Sequence, residues 1–120
     1  MVTNFTEHTK PLTEIQLKNV ETLLYCLQNT SKNRQIPSYV LVELINSKLE
    51  SNLVTNRTIR KLVNYIRCSG IAAVIGTSLG YYISTDAKEI SEQIKSLTER
   101  ANSLLDCTYG LTQILKVIKE

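Results

Sequence analysis

The chain has 120 residues, enough for one domain with a modest hydrophobic core. Hydrophobic residues make up 42% of it and charged residues 21%, as in an ordinary soluble globular protein, and the absence of any run near 18 apolar residues excludes a transmembrane helix. The formal net charge of +3 is unevenly distributed. Residues 31–70 carry a net charge of +5, whereas residues 1–30 and 71–120 each sum to −1. This excess indicates a surface that faces a polyanion, or else a solvated positive face.

The cysteines and the histidine predict neither a metal site nor a bound cofactor. Cys26, Cys68 and Cys107 are odd in number, far apart and not in a Cys-x-x-Cys pair, and His8 is the one histidine. This pattern suits a reducing compartment, and we expect a cytoplasmic protein. The residues after Met1 are not an apolar run, so no signal peptide is expected.

A loose arm over residues 1–12 is expected to precede the first helix. Thr13 and Gln16 form a capping box, and the helix should fade near Asn29. The apolar stripe of this helix consists of Ile15, Val20, Leu23, Leu24 and Leu27.

A second helix is expected from Pro37 to about Leu49, because proline is favoured in the first turn and Ser38 is also able to cap. Its buried residues should be Val40, Leu41, Leu44 and Ile45. After a short turn over residues 51–54, Thr55 caps the third helix. That helix buries one face and ends at Gly70, and its inward residues are Ile59, Leu62, Val63 and Ile66.

A β-hairpin should follow the third helix. Ile71–Gly76 and Tyr81–Ile83 have strand composition, and Thr77–Gly80 reads as the turn between them. Tyr81 and Tyr82 should face opposite sides of the hairpin, one in the core and the other exposed.

Asp86 and Glu89 form a capping box that opens a long last helix. Apolar residues then recur at spacings of four and three, a heptad seam that only Thr108 interrupts. The seam residues are Ile90, Ile94, Leu97, Ala101, Leu104, Leu111, Leu115 and Ile118. A helix of about 30 residues spans ~45 Å, so we expect this helix to pair with the same helix of a second chain. The alternative is that it breaks at Gly110 and folds back as two shorter helices.

The order of these elements resembles the winged helix-turn-helix over residues 13–85. Thr58–Val63 looks like the recognition helix of that family, and Leu79–Ile83 looks like the second wing strand of biotin-repressor-type domains and of small phage-encoded winged-helix proteins. The resemblance implies a mainly α fold with a small β-hairpin, an α+β class. The winged helix-turn-helix of residues 13–85 would be followed by a long C-terminal dimerisation helix over residues 86–120.

The resemblance also implies double-stranded DNA as the partner and the third helix as its reader. Arg is able to bind guanine, and Asn adenine, through two hydrogen bonds each. The candidate base readers are Asn56, Arg57, Arg60 and Lys61, with Asn64 next. Arg67, Lys48, Lys32 and Arg34 are candidate phosphate contacts, and the hydroxyls of Thr55 and Thr58 would assist. The wing tip, Thr77–Leu79, has no Lys or Arg, so its contact with DNA is in doubt.

We therefore expect a sequence-specific DNA-binding homodimer, a transcriptional regulator or replication-origin binder of a phage or mobile element. One alternative is a winged-helix protein-interaction module, a phage accessory or inhibitor protein whose partner is a host or phage protein. Another is a structural protein that the heptad helix assembles into a higher oligomer. Paired acids in a predicted cleft and a phosphate-cradling glycine loop are both missing from the sequence, so we expect neither catalytic residues nor an enzyme.

Overall fold

A computed structural model describes residues 13–119. The described residues form four helices and one antiparallel hairpin, which confirms a mainly helical α+β class. The elements are α1 (Glu14–Cys26), α2 (Ser38–Lys48), α3 (Asn56–Cys68), β1 (Val74–Thr77), β2 (Gly80–Ile83) and α4 (Ala87–Lys119). Contacts divide the chain after Thr85 into two compact units. The arm expected over residues 1–12 lies outside the described residues.

The first unit is built on one hydrophobic core to which α1, α2, α3 and β1 all contribute. The buried residues of this core are Val20, Leu23, Leu27, Leu41, Ile45, Val54, Ile59, Leu62, Val63, Ile66 and Val74. All four inward residues predicted for α3 are among them. Two other predictions of burial were wrong: Ile15, in the first turn of α1, is 68% exposed, and Leu44, on the outer side of α2, is also exposed.

Both α1 and α2 begin where the sequence predicts, but only α1 has a side-chain cap, and Ser38 does not cap α2. The Thr13 and Gln16 side chains each accept the other residue's backbone N–H, at 3.2 and 3.0 Å, so the capping box is confirmed. Pro37 is the residue before α2, and its carbonyl accepts the Leu41 N–H at 3.1 Å.

A Schellman motif ends α3, and the first strand begins later in the chain than predicted. Gly70 adopts φ +68°, its N–H bonds to the Arg67 carbonyl, and the Ile71 N–H bonds to the Ile66 carbonyl. The role predicted for Gly70 is thus confirmed. Because Ile71 takes part in this helix end, β1 begins at Val74 and not at residue 71, and the hairpin turn contains only Ser78 and Leu79.

A third extended segment lies beside the hairpin. Val74 pairs with Ile83 within the hairpin, and Ile36 exchanges two backbone hydrogen bonds with Tyr81, at 3.0 and 2.9 Å. Gly80 sits where these segments are closest: a Cβ on Gly80 would lie 2.5 Å from the Ile36 carbonyl oxygen. Tyr82 is buried and Tyr81 is half-buried, so neither tyrosine is fully exposed as one was expected to be.

The second unit contains one helix, α4, of 33 residues. The Asp86 carboxylate accepts the Lys88 N–H at 3.0 Å and so caps its first turn. The helix continues without interruption through Gly110, so the alternative of two shorter helices that break there does not occur. None of the described residues of α4 is buried.

We expect Gly80→Ala to lower the free energy of unfolding by more than about 2 kcal/mol. Gly80 has φ +145°, which an L residue rarely adopts, and the added methyl group would collide with the backbone of Ile36. Urea unfolding followed by circular dichroism measures the change.

Gly70→Ala is the matched control for this experiment. Gly70 also has a positive φ, but open space surrounds the position of its Cβ. We expect a cost of only about 1 kcal/mol, the cost of the left-handed backbone alone. Equal losses for the two variants would contradict the close approach of Gly80 to Ile36.

Candidate nucleic-acid interface

Five polar residues form the outer face of α3, opposite the core. All five are exposed, and they recur at the spacings of one side of a helix. They are Asn56, Arg57, Arg60, Lys61 and Asn64, and together we call them the α3 outer face. Because α3 contains no Asp or Glu, no acidic side chain of the helix offsets their positive charge. The structure thus brings together the base readers that the sequence predicts.

The first turn of α3 is held by its own side chains. Thr55 and Thr58 form a reciprocal capping box, in which each hydroxyl accepts the other residue's N–H at 3.4 and 3.1 Å. The cap predicted for Thr55 is confirmed, and the reciprocal bond from Thr58 was not foreseen. The Ser38 hydroxyl donates to Asn56 Oδ1 at 2.8 Å, which ties the start of α2 to the start of α3. The hydroxyls of Thr55 and Thr58 and the Asn56 oxygen therefore already have partners within the domain.

Asn46 fixes the turn between α2 and α3. Its Nδ2 donates to the Val54 carbonyl at 3.0 Å, and its Oδ1 accepts the Val54 N–H at 3.1 Å. Its own carbonyl accepts the Ser51 N–H at 2.8 Å, next to Glu50, which has φ +50°. Val54 is buried directly before the cap of α3, so Asn46 sets the position from which α3 begins.

The role of Asn46 was not predicted from the sequence. An asparagine in the last turns of a predicted helix is a weak signal, because its side chain is as often solvated as bonded to a turn. The eight residues that separate Asn46 from Val54 hide the pair from any short motif.

Lys32 and Arg34 lie in a tight turn, Ser31–Arg34, which we call the basic turn. The Arg34 N–H bonds to the Ser31 carbonyl at 2.9 Å, and the side chains of Lys32 and Arg34 are exposed. Gln35 joins this turn to the hairpin: its Nε2 donates to the Lys32 carbonyl at 3.0 Å, and its Oε1 accepts the Thr77 hydroxyl. The two cations predicted to contact phosphate therefore belong to a segment fixed against the hairpin.

Arg67 occupies a structural position. Its Nε donates to the Val74 carbonyl at 2.8 Å, and the side chain is half-buried. A guanidinium nitrogen lies 3.3 Å from where a Cβ on Gly76 would be. Arg67 thus joins the end of α3 to β1, and its predicted phosphate contact is less well supported than those of the exposed cations.

Lys48 lies against α1. Its Nζ is 4.4 Å from the centre of the Tyr25 ring, a cation–π contact. Burial raises the pKa of the nearby Cys26 thiol, and the positive charge of Lys48 partly offsets that rise. Lys48 therefore has a partner within the domain, and its predicted phosphate contact stays a prediction.

The predicted dimerisation residues all lie on α4. Ile90 is half-buried, and the remaining seven are exposed: Ile94, Leu97, Ala101, Leu104, Leu111, Leu115 and Ile118. Such a row of exposed aliphatic side chains is unusual on a soluble helix unless another surface covers it.

We expect Asn46→Ala to lower the free energy of unfolding by about 2–3 kcal/mol, because both backbone groups of Val54 lose their partner. Chemical denaturation measures this change. Asn52→Ala is the control, since Asn52 is exposed in the same turn and should change stability by less than about 0.5 kcal/mol. A neutral Asn46→Ala variant would show that the turn does not depend on this side chain.

In the described part of the chain, no helix is long and apolar enough to cross a membrane, and no cluster of three or more His, Cys, Asp or Glu side chains is placed to hold a metal ion.

Comparisons with known proteins do not add to this description. No protein-family model, curated protein or solved structure matches the chain.

Proposed function

We propose that the chain is a sequence-specific double-stranded DNA-binding protein with a winged helix-turn-helix domain, and that it acts as a dimer. The observation that carries the proposal is the α3 outer face. The protein would act as a transcriptional regulator or a replication-origin binder. Its resemblance to phage-encoded winged helices favours a phage or mobile-element source.

The chemistry of the α3 outer face suits the major groove of DNA. Arg57 and Arg60 each offer a guanidinium fork for guanine, and Asn64 offers an amide for adenine. All three are exposed on a helix whose opposite side is buried, so they are presented without loss of core packing. The N-terminal half of a recognition helix lies deepest in the groove, and Arg57 and Arg60 are in that half of α3.

The basic turn compensates for the neutral tip of the hairpin. Ser78 and Leu79 at the tip bring no positive charge, but Gln35 and the Ile36–Tyr81 pairing hold the basic turn against the same hairpin. Lys32 and Arg34 are therefore the cations best placed to contact DNA beside the wing. They would contact phosphate and set the position of the domain on the duplex without reading its sequence.

We expect Arg57→Ala combined with Arg60→Ala to weaken binding to a selected duplex at least about 30-fold, since each two-bond guanine contact contributes roughly 1–3 kcal/mol. The selected duplex would come from in vitro selection on a random pool. Titration by fluorescence anisotropy measures the affinity, and circular dichroism checks the fold of the variant.

The control is Lys88→Ala combined with Lys95→Ala, which removes the same positive charge from α4. This variant should bind the selected duplex nearly as well as the parent. If both double variants lost affinity equally, net charge and not the α3 outer face would explain the binding. A random pool that yields no enriched sequence would contradict the proposal.

We expect Lys32→Ala combined with Arg34→Ala to weaken binding to selected and random duplexes by the same factor. The slope of log K against log salt should fall by about 2 per bound chain, as expected for two lost phosphate contacts. Anisotropy titrations at several salt concentrations give both quantities. A loss confined to the selected duplex would instead assign base reading to the basic turn.

One observation favours a second function, a protein-interaction module. Leu79 at the hairpin tip is 70% exposed and lies between neutral neighbours, which suits an apolar protein surface better than a phosphate backbone. A host or phage protein would then be the partner. This reading predicts no DNA retention at physiological salt, and loss of the partner on Leu79→Ser.

A further inference from the structure

We propose that α4 pairs with α4 of a second copy of the chain as a parallel, in-register, two-stranded coiled coil. The inference deepens the dimeric part of the proposed function and rests on that part, but it does not require DNA. Most of the stability of a protein helix comes from packing an apolar face. No described residue of α4 is buried in its own chain, although the helix is 33 residues and about 50 Å long.

The charges on α4 leave a broad face for a partner. With Ile94 at heptad position a and Leu97 at d, seven of the nine charged residues of α4 occupy the outer positions b, c and f. These seven are Lys88, Glu89, Glu92, Lys95, Glu99, Asp106 and Lys116. The a, d, e and g positions contain no acidic residue, and their only cations are Arg100 and Lys119. Acidic side chains are thus absent from the seam and its flanks, and most of the charge of α4 lies on its outer side.

Two threonines on this face, Thr108 and Thr112, are already hydrogen-bonded within the helix. Thr108, the one polar residue of the seam, donates its hydroxyl to the Leu104 carbonyl at 3.0 Å. Thr112, at a flanking e position, donates to the Thr108 carbonyl at 2.8 Å. Covering these side chains therefore leaves no hydroxyl proton unsatisfied, which removes the main cost of burying them. Gly110 is at the outer position c and does not interrupt the contact surface.

The two cations indicate the direction of pairing. In a parallel pair, each g residue lies beside the e residue five positions later on the partner helix. Arg100 then lies beside Leu105, and Ile114 beside Lys119, so each long aliphatic stem covers an exposed apolar flank while its charge reaches water. An antiparallel pair sets g against g and e against e. When the two helices are centred on each other, Arg100 lies beside Cys107 and Lys119 beside Ser91, so neither stem covers Leu105 or Ile114.

The heptad period also fits two helices that wrap around one another. A strict seven-residue repeat drifts on a straight α-helix by about 20° per heptad, and a left-handed supercoil keeps the seam in contact. The repeat continues from Ile90 to Ile118 without a skipped position. Since residues 13–85 precede α4 in the chain, parallel pairing brings the N-terminal ends of the two helices together at one end of the coiled coil.

Single-cysteine cross-linking tests the direction and register. In the 120-residue chain carrying Cys26→Ala, Cys68→Ser and Cys107→Ser, either Leu97→Cys or Leu111→Cys is introduced at a d position. Oxidation should convert both variants to disulfide-linked dimers, because identical d residues face each other in a parallel coil. Asp106→Cys, at the outer position f, is the control and should stay monomeric on a denaturing gel. An antiparallel pair centred on the helix would separate the two Leu97 positions by about 18 Å, so failure of both d variants to cross-link would overturn parallel pairing.

A matched pair of substitutions tests the contact face by sedimentation equilibrium without DNA. Leu104 and Tyr109 are 69% and 68% exposed in the single chain, but only Leu104 is in the seam. We expect the parent and Tyr109→Asp to be dimers, and Leu104→Asp to raise the dimer dissociation constant at least about 100-fold, because it would bury an unpaired charge. A monomeric parent, a trimer or larger assembly, or equal effects of the two substitutions would overturn the proposal. Because DNA is absent, these outcomes are independent of whether the α3 outer face binds DNA.

Discussion

The burial of one side of α3 is the constraint on which the first unit depends. Ile59, Leu62, Val63 and Ile66 enter a core that α1, α2 and β1 share, and the helix period then places the polar residues of α3 outside. The packing of the apolar residues in the core and the exposure of the polar residues follow from the same spacing along α3. A change that rotated α3 would therefore damage both. The strength of this pattern explains why the α3 outer face tolerates three cations and no acid: the free energy of the buried side outweighs the mutual repulsion of exposed, solvent-screened charges.

Three side chains hold α3 in place at its two ends. Asn46 fixes the turn before it, Ser38 holds its first residue, and Arg67 joins its last turn to β1. Asn46 and Arg67 bond to backbone groups in part-buried segments, as buried polar groups generally require, whereas the Ser38 bond is exposed at the start of α3. In the proposed winged helix, these contacts would hold the base readers at a fixed angle to the hairpin. They would thereby reduce the ordering cost of binding.

Local signals were enough to predict most elements but not the contacts between them. The caps at Thr13 and Thr55 and the left-handed Gly70 depend on residues within one turn, and all were predicted. The pairing of Ile36 with Tyr81 joins residues far apart in sequence, and single short strands carry little pattern of their own. The same limit applies to the site: spacing alone identified the α3 outer face, whereas the internal partners of Arg67 and Lys48 emerged only with the tertiary structure.

The two units show different kinds of evidence for a contact surface. In the first unit, burial itself separates core residues from surface residues, so exposure is informative. In α4 the seam residue Leu104 and the outer residue Tyr109 are almost equally exposed, and a single chain cannot distinguish them by accessibility. What does distinguish them is the order of charge along the helix, because seven of the nine charged residues of α4 lie at the outer positions b, c and f, and Tyr109 shares that outer side. The internal hydrogen bond of Thr108 points the same way, since it satisfies in advance a hydroxyl that pairing would remove from water. The pattern of α4 is therefore best explained as one half of an interface, with the other half supplied by the same sequence.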